Sequence, residues 1–272
     1  MDLCGFEVSQ QSRFFLIAGT CVVESEQMAL DTAGTLKEIC DQLGIFLIYK
    51  SSFDKANRSS KDSYRGPGIA AGLKVLQTVR DTLGLPVLTD VHEDTPLDEV
   101  KEVVSVLQTP AFLCRQTNYI QKVASLGLPV NIKKGQFLAP WDVKGILSKT
   151  EGAKEVWITE RGTSFGYNTL VVDYTGLQYM LEHYDVPCVF DVTHAVQKPG
   201  GNGESSGGNR DYVPGLARAA AAMGINDFFI EVHADPDNAP SDGPNMLKLE
   251  DFEDTVKQIK VIHNAANNWR WL

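Results

Sequence analysis

A thiol, an imidazole and two carboxylates are the side chains of this 272-residue chain best suited to grip a divalent ion: Cys21, His194, Glu231 and Asp242. Together they form a mixed donor set for Fe2+, Zn2+ or Mn2+, with a position left over for water or substrate. Taken singly, Cys21 reads as a small buried hydrophobe and His194 as a loop histidine, and no closely spaced ligand pair announces a site. His92 and His233 are alternative ligands.

A second set is cationic. The stretch KSSFDKANRSS (50–60) carries Lys50, Lys55 and Arg58 among small hydroxyl residues, Arg65 follows, and Lys133-Lys134-Gly135 and Glu160-Arg161-Gly162 lie further on. Arginine forks and lysine point charges hold phosphate and carboxylate. The chain as a whole is acidic, with 25 basic against 35 acidic residues and a net charge of −10. Phosphate polyanions are repelled over most of such a surface, which excludes a general nucleic-acid or acidic-membrane binder and confines any anion to a local basic pocket. The glycine-rich run from Gly200 to Gly208, between Lys198 and Asn209-Arg210, lacks a P-loop or dinucleotide fingerprint. It reads as a mobile connector able to fold over a ligand.

The elements that must position these groups alternate along the whole chain. Continuous apolar runs, the mark of parallel strands covered on both faces, occur at 14–19, 45–50, 86–90, 105–109, 129–133, 155–160, 187–191 and 227–231. Between them lie amphipathic stretches: Thr117 is placed to cap a helix with Ile120, Val123 and Ala124 on one face and Gly127 beyond its end, and Pro96 suits a first helical turn. The last helix spaces Phe252, Val256, Ile259 and Ile262 helically. No linker divides the chain, and the strand spacing is that of one βαβ unit. These features predict an α/β fold, a single (β/α)8 TIM barrel over residues 1–272 with a short N-terminal extension; a doubly wound open sheet is the rival.

Lys50, Asp90, Gln108, Lys133, Glu160 with Arg161, Asp191 with His194, and Glu231 all fall at or just past the C-terminal ends of these runs. In a barrel those ends meet at one mouth, where active sites are built. The five cysteines are odd in number and widely spaced, so no disulfide framework is expected. Residues 1–10 carry Asp2 and Glu7 without a basic segment and long apolar run, and no apolar run approaches the roughly 20 residues a bilayer needs. A cytoplasmic protein without signal peptide or membrane span is expected.

At these residues the sequence closely resembles the 3-deoxy-D-manno-octulosonate 8-phosphate synthases, also called 2-dehydro-3-deoxyphosphooctonate aldolases. The matching blocks are KSSFDKANRSS (50–60), YRGPG (64–68), TDVHE (89–93), PAFLCRQT (110–117), KKGQFLAPWD (133–142), ERGTSFGYNTLVVD (160–173), FDVTHAVQ (190–197), SGGNR (206–210), IEVHADPD (230–237) and SDGP (241–244). The resemblance implies a barrel that condenses phosphoenolpyruvate with arabinose 5-phosphate and water, feeding lipopolysaccharide synthesis, in a cytoplasmic homotetramer. It places phosphoenolpyruvate at Lys50, Ser52, Lys55, Gln108, Ala111, Lys133, Arg161 and His194, and the sugar phosphate at Asn57, Arg58 and Ser59 with Asp90 near the aldehyde.

The family has metal-dependent and metal-independent branches, separated by cysteine or asparagine at the position of Cys21. Cysteine here, with His194, Glu231 and Asp242, implies a metal enzyme, although Thr20 stands where a proline is usual. Catalytic roles then fall on His194 and Asp242, with Lys55 and Asp90 beside them. Three other readings compete: a related synthase using erythrose 4-phosphate, a Schiff-base aldolase acting through Lys50 or Lys133, and a non-catalytic sugar-phosphate-binding barrel.

Overall fold

The computed structural model describes residues 2–3, 6–7, 14–58, 60–201 and 206–269. Ser59, Cys4 and residues 202–205 of the glycine-rich run lie outside the described residues. Eight parallel strands form the barrel: β1 (Phe15–Gly19), β2 (Phe46–Lys50), β3 (Val87–Asp90), β4 (Val106–Thr109), β5 (Val130–Lys133), β6 (Val156–Glu160), β7 (Cys188–Asp191) and β8 (Asp227–His233), with the short strand Leu247–Lys248 added beside the end of β8. Each neighbour pair is hydrogen-bonded in sequence order, β8 pairs back to β1, and β7 pairs to β8, so the sheet closes. The doubly wound alternative is thereby excluded. Every predicted strand is present with its start or end moved by one or two residues.

Helices α1 (Glu26–Leu43), α2 (Ile69–Leu83), α3 (Leu97–Lys101), α4 (Thr117–Ala124), α5 (Val143–Leu147), α6 (Tyr174–His183), α7 (Val213–Met223) and α8 (Leu249–Trp269) connect or follow the strands. The Ser25 side chain caps α1 by accepting from the Met28 amide, and Gly44 ends it in the left-handed region. Ala29, Ala33, Leu36 and Cys40 are its buried stripe. Thr117, expected as a cap, is instead the first residue of α4, and Gln116 takes the flanking position without a side-chain cap. Among the described residues no helix is long and apolar enough to cross a membrane.

Strand parity sorts the core. Successive strand side chains point to opposite faces, so Leu16, Leu47, Leu107, Ile132, Ile158 and Phe190 pack outward against the helices. Phe15, Ile17, Ile48, Leu88, Val106, Trp157, Val189 and Phe229 fill the barrel's interior as a separate cluster. One step further up the same inward rows stand Lys50, Asp90, Gln108, Lys133, Asp191 and Glu231, all buried. Gly19 takes the corresponding position on β1, where a Cβ would collide with the Lys50 carbonyl.

Candidate active site

The mouth of the barrel holds a cavity of about 780 Å3, lined from β2, β3, β4, β5, β7 and β8 and the loops after them. At one side of it the four potential metal donors converge. Cys21 follows β1, His194 sits in a helical turn (Val192–Ala195) after β7, Glu231 lies in β8, and Asp242 is held at φ +53 in the loop beyond. One donor atom each from Cys21, Glu231 and Asp242 lie within 4.8 Å of one another. Cys21 Sγ is 3.2 Å from Asp242 Oδ2, while His194 Nε2 is 3.7 Å from Glu231 Oε2 and 4.0 Å from Asp242 Oδ2.

This donor set fits a divalent transition metal. Glu231 Oε2 is buried and has no hydrogen-bond partner, which is costly unless a cation takes it. Burial and the nearby Glu231 carboxylate push the Cys21 thiol well above its usual range, a bias that a bound cation reverses. Desolvation raises the Asp242 carboxyl, but His194 and Lys55 outweigh it and bring it down to about 2, so this donor stays ionised.

Asp191, at the end of β7, orders much of the site. Its Oδ2 is 2.5 Å from Lys133 Nζ and 2.7 Å from His194 Nδ1, and its Oδ1 accepts the His194 amide at 2.9 Å. Burial alone would raise its pKa; His194 and Lys133 overcome this and hold it far below the carboxylate range. With Nδ1 fixed on Asp191, the Nε2 of His194 is directed to Glu231 and Asp242, an arrangement that orients a metal-binding imidazole. Lys133 lies 3.2 Å above the Phe229 ring. Desolvation, only partly offset by Asp191, brings its pKa down to about 8. Lys50 is tied at 2.5 Å to Glu231 Oε1 and donates to the Cys21 carbonyl at 2.9 Å.

Across the mouth, a hydrogen-bond chain runs through the barrel interior. Thr159 donates to Asn131 Oδ1 at 2.6 Å, Asn131 donates to Gln108 Oε1 at 2.7 Å, Gln108 donates to Asp90, and Ser52 donates to the second Asp90 oxygen at 2.6 Å. Each donor fixes the orientation of the next amide. Desolvation opposes ionisation of Asp90, but Lys50, Lys55 and Ser52 prevail and keep its pKa well below the usual range. Lys55 Nζ is 3.8 Å from Asp90 Oδ2. Burial disfavours its ammonium, yet Cys21, Glu231 and Asp90 raise its pKa well above the ordinary lysine value. Asn57, Arg58 and Ala111 line the same cavity. Arg58 reaches the Ser241 hydroxyl and, at 3.1 Å, the Pro240 carbonyl.

Arg161 completes the wall: its Nη2 donates to Gln197 Oε1 at 2.7 Å, and its buried Nη1 has no partner. Gln197 in turn donates to Asp242 Oδ1 at 3.0 Å. Neither Gln197 nor the anchoring role of Asp191 was expected from the sequence, although an aspartate three residues before a histidine at a strand end is a readable signal for the second.

Some expected members of the site stand elsewhere. Ser52 does not line the cavity but holds Asp90 from behind. Arg65 is committed to Asp54, with Nε at 2.8 Å and Nη2 at 2.5 Å, on the exposed side of its loop. Lys134 faces away from the mouth and pairs with Glu160 at 3.1 Å, because the alternation that turns Lys133 inward turns its neighbour outward. His233 Nε2 lies 3.0 Å from Glu24 Oε1, and His92 does not line the cavity, so neither joins the donor cluster.

Comparison with known proteins places these residues in context. A profile described as the DAHP synthetase I family matches residues 6–265. The chain is 61% identical over 261 residues to the 2-dehydro-3-deoxyphosphooctonate aldolase of Alkalilimnicola ehrlichii, covering 95% of this chain and 94% of that one. It is 62% identical over 267 residues to the protein of the same name from Methylococcus capsulatus, covering 97% and 94%. With the Legionella pneumophila (strain Lens) protein of that name it shares 59% over 262 residues, covering 96% and 95%.

Proposed function

The chain belongs to the DAHP synthetase I family, among its 2-dehydro-3-deoxyphosphooctonate aldolases, and from that premise we infer that its barrel mouth joins phosphoenolpyruvate to arabinose 5-phosphate. The enol carbon of phosphoenolpyruvate attacks the sugar aldehyde, water adds to the adjoining carbon, and phosphate leaves by C–O cleavage. The products are 3-deoxy-D-manno-octulosonate 8-phosphate and inorganic phosphate, in lipopolysaccharide precursor synthesis. The observation that carries this reading is one cavity lined by two sets of cations, Lys133 and Arg161 from the ends of β5 and β6, and Lys55 and Arg58 from the loop after β2. Two anionic substrates repel each other, and separate cationic subsites offset that repulsion while holding the reacting carbons together.

In this reading Arg161 and Lys133 grip phosphoenolpyruvate, with Lys50, Gln108 and Ala111 bounding its place. Arg58 and Asn57 take the sugar phosphate, and Asp90 with Lys55 faces the aldehyde end. Cys21, His194, Glu231 and Asp242 would hold a divalent transition metal, which when bound supplies Lewis acidity toward water or the aldehyde oxygen. With both ring nitrogens of His194 engaged, by Asp191 and by the metal, Asp242 is the group we assign to hold or pass a proton at the reacting oxygen, and His194 acts as a ligand. A cytoplasmic homotetramer is part of the same proposal; exposed Phe112, Phe137, Trp141, Phe165 and Tyr167 offer apolar surface for subunit contacts, and sedimentation equilibrium tests it.

Phosphate release from phosphoenolpyruvate, measured with arabinose 5-phosphate, ribose 5-phosphate and erythrose 4-phosphate in parallel, tests the reaction. Turnover should be confined to, or strongly favour, arabinose 5-phosphate. Preference for erythrose 4-phosphate, or binding without release, would overturn the assignment; borohydride trapping of a substrate would point instead to an imine on lysine.

A further inference from the structure

Two charged residues of the strand ends, Lys134 and Glu160, take no part in the cavity wall, yet both are almost wholly buried, at 1% and 3% side-chain exposure. Each is the sequence neighbour of an anion-binding candidate, Lys133 and Arg161, and parity turns it to the opposite face of the barrel wall. There Lys134 Nζ meets Glu160 Oε2 at 3.1 Å. The other carboxylate oxygen, Oε1, accepts the amides of Arg161 at 3.0 Å and Gly162 at 2.7 Å. Gly162 has φ +95, where the chain leaves β6 for the short strand Thr163–Ser164. The carboxylate therefore spans the turn that launches Arg161, and the ammonium behind it pins the carboxylate.

A buried ion pair is a poor means of stabilising a fold, because desolvation consumes most of the attraction. Its value here is directional. Glu160 fixes the backbone on one side of Arg161, and Gln197 fixes the guanidinium on the other, leaving Nη1 as the unpartnered donor. We propose that Lys134 and Glu160 form a backbone clamp that positions Arg161 for the phosphoenolpyruvate anion. The clamp acts through Arg161 alone and has no contact with the sugar side of the cavity. This inference rests on the reading of Arg161 as a phosphoenolpyruvate ligand.

The test uses the full-length enzyme with Lys134→Met/Glu160→Met, a neutral pair that leaves no lone buried charge and no acceptor for the Arg161 and Gly162 amides, together with Arg161→Ala and the triple variant. Steady-state kinetics should show the KM for phosphoenolpyruvate raised on the order of tenfold in the neutral-pair variant, with that for arabinose 5-phosphate within about twofold. On the Arg161→Ala background the same pair of changes should add nothing further to the phosphoenolpyruvate KM, the non-additivity expected of residues acting in series. An unchanged phosphoenolpyruvate KM, or equal rises for both substrates, overturns the clamp. If Arg161→Ala itself leaves that KM unmoved, the ligand reading falls, and the clamp with it; if Arg161→Ala raises it and the neutral pair does not, only the clamp falls. Hydrogen exchange on the unmodified protein decides the matter independently of variant folding: the Arg161 and Gly162 amides should be protected without substrate, and fast exchange there would overturn the proposal.

Discussion

The floor and the rim of this barrel are made by the same inward-facing rows, yet they are opposite in chemistry. Below lie Phe15, Ile17, Ile48, Leu88, Trp157 and Phe229, a dry interior cluster. Two residues up the strands stand Lys50, Asp90, Lys133, Asp191 and Glu231, buried as well but set in ion pairs, Lys50 with Glu231 and Lys133 with Asp191, while Asp90 faces Lys55. Phe229 is the boundary, with its ring 3.2 Å beneath the Lys133 ammonium and 5.6 Å from that of Lys50. The lesson is a division of labour. Floor residues gain by leaving water; rim residues lose by it, and are kept because a desolvated charge acts strongly on a substrate.

The comparison breaks most visibly at the rim's metal donors. Exhaustive chelation should lower phosphate release by about a thousandfold or more, with activity returning on adding Fe2+, Zn2+ or Mn2+. Full turnover in protein shown by elemental analysis to be metal-free would refute the donor assignment. Cys21→Asn sharpens the point. Activity retained there would limit the thiol to filling space, and activity lost would give it an electronic role.

At the floor, the expected loss is of stability. Trp157 is fully buried against Phe15, ring centroids 5.1 Å apart, so Trp157→Ala should cost about 3–5 kcal/mol in urea unfolding. The folded fraction should retain its substrate KM values. A large KM change with little loss of stability would mean that floor and rim are not separable.

How much of this was legible follows from the same parity. Continuous apolar runs placed every strand, because a strand covered on both faces has little room for polar residues before its end; Asn131 and Thr159 are exceptions that satisfy each other inside the barrel. The convergence of Lys50, Asp90, Lys133 and Glu231 at one mouth follows from closure, which no single run reveals. In sequence the pairs Lys133-Lys134 and Glu160-Arg161 read as whole units at the mouth, although alternation sends one member of each to the other face. Arg65 looked like an anion ligand because the sequence does not show that Asp54 folds back onto it. The donor cluster drew its strength from family resemblance, since Glu231 lies in β8, the other members follow β1, β7 and β8, and no spacing rule connects them. Gln197 left no signal: an amide joining a guanidinium to a carboxylate is visible only in three dimensions.

Within the rim, the two cationic sets can be separated. Arg58 holds the Pro240 carbonyl from the loop after β2, whereas Arg161 follows β6, four strands away in the closed sheet. Arg58→Ala should therefore raise the KM for arabinose 5-phosphate on the order of tenfold, the loss of one charge-assisted contact, and leave that for phosphoenolpyruvate within about twofold. Parallel substrate titrations distinguish this from a general loosening of the site, in which both constants would rise.

The smallest effect concerns Lys133, where rim and floor touch. Burial over Phe229 brings its pKa from 10.5 to about 8, despite Asp191. Below that value the ammonium is present to receive phosphoenolpyruvate; as pH rises through about 8 the charge is lost, so the phosphoenolpyruvate KM should increase a few-fold between pH 7 and about 9. Stability should move the other way. Between about 8 and 10.5 the unfolded chain still binds the lysine proton that the folded chain has released, and stability rises with pH wherever the unfolded state binds more protons. Lys133→Met removes both trends, so the difference between wild type and variant isolates them in KM and urea-midpoint profiles over this range. If the two profiles run parallel, Lys133 does not titrate near 8, and the apolar floor does not tune the charge above it.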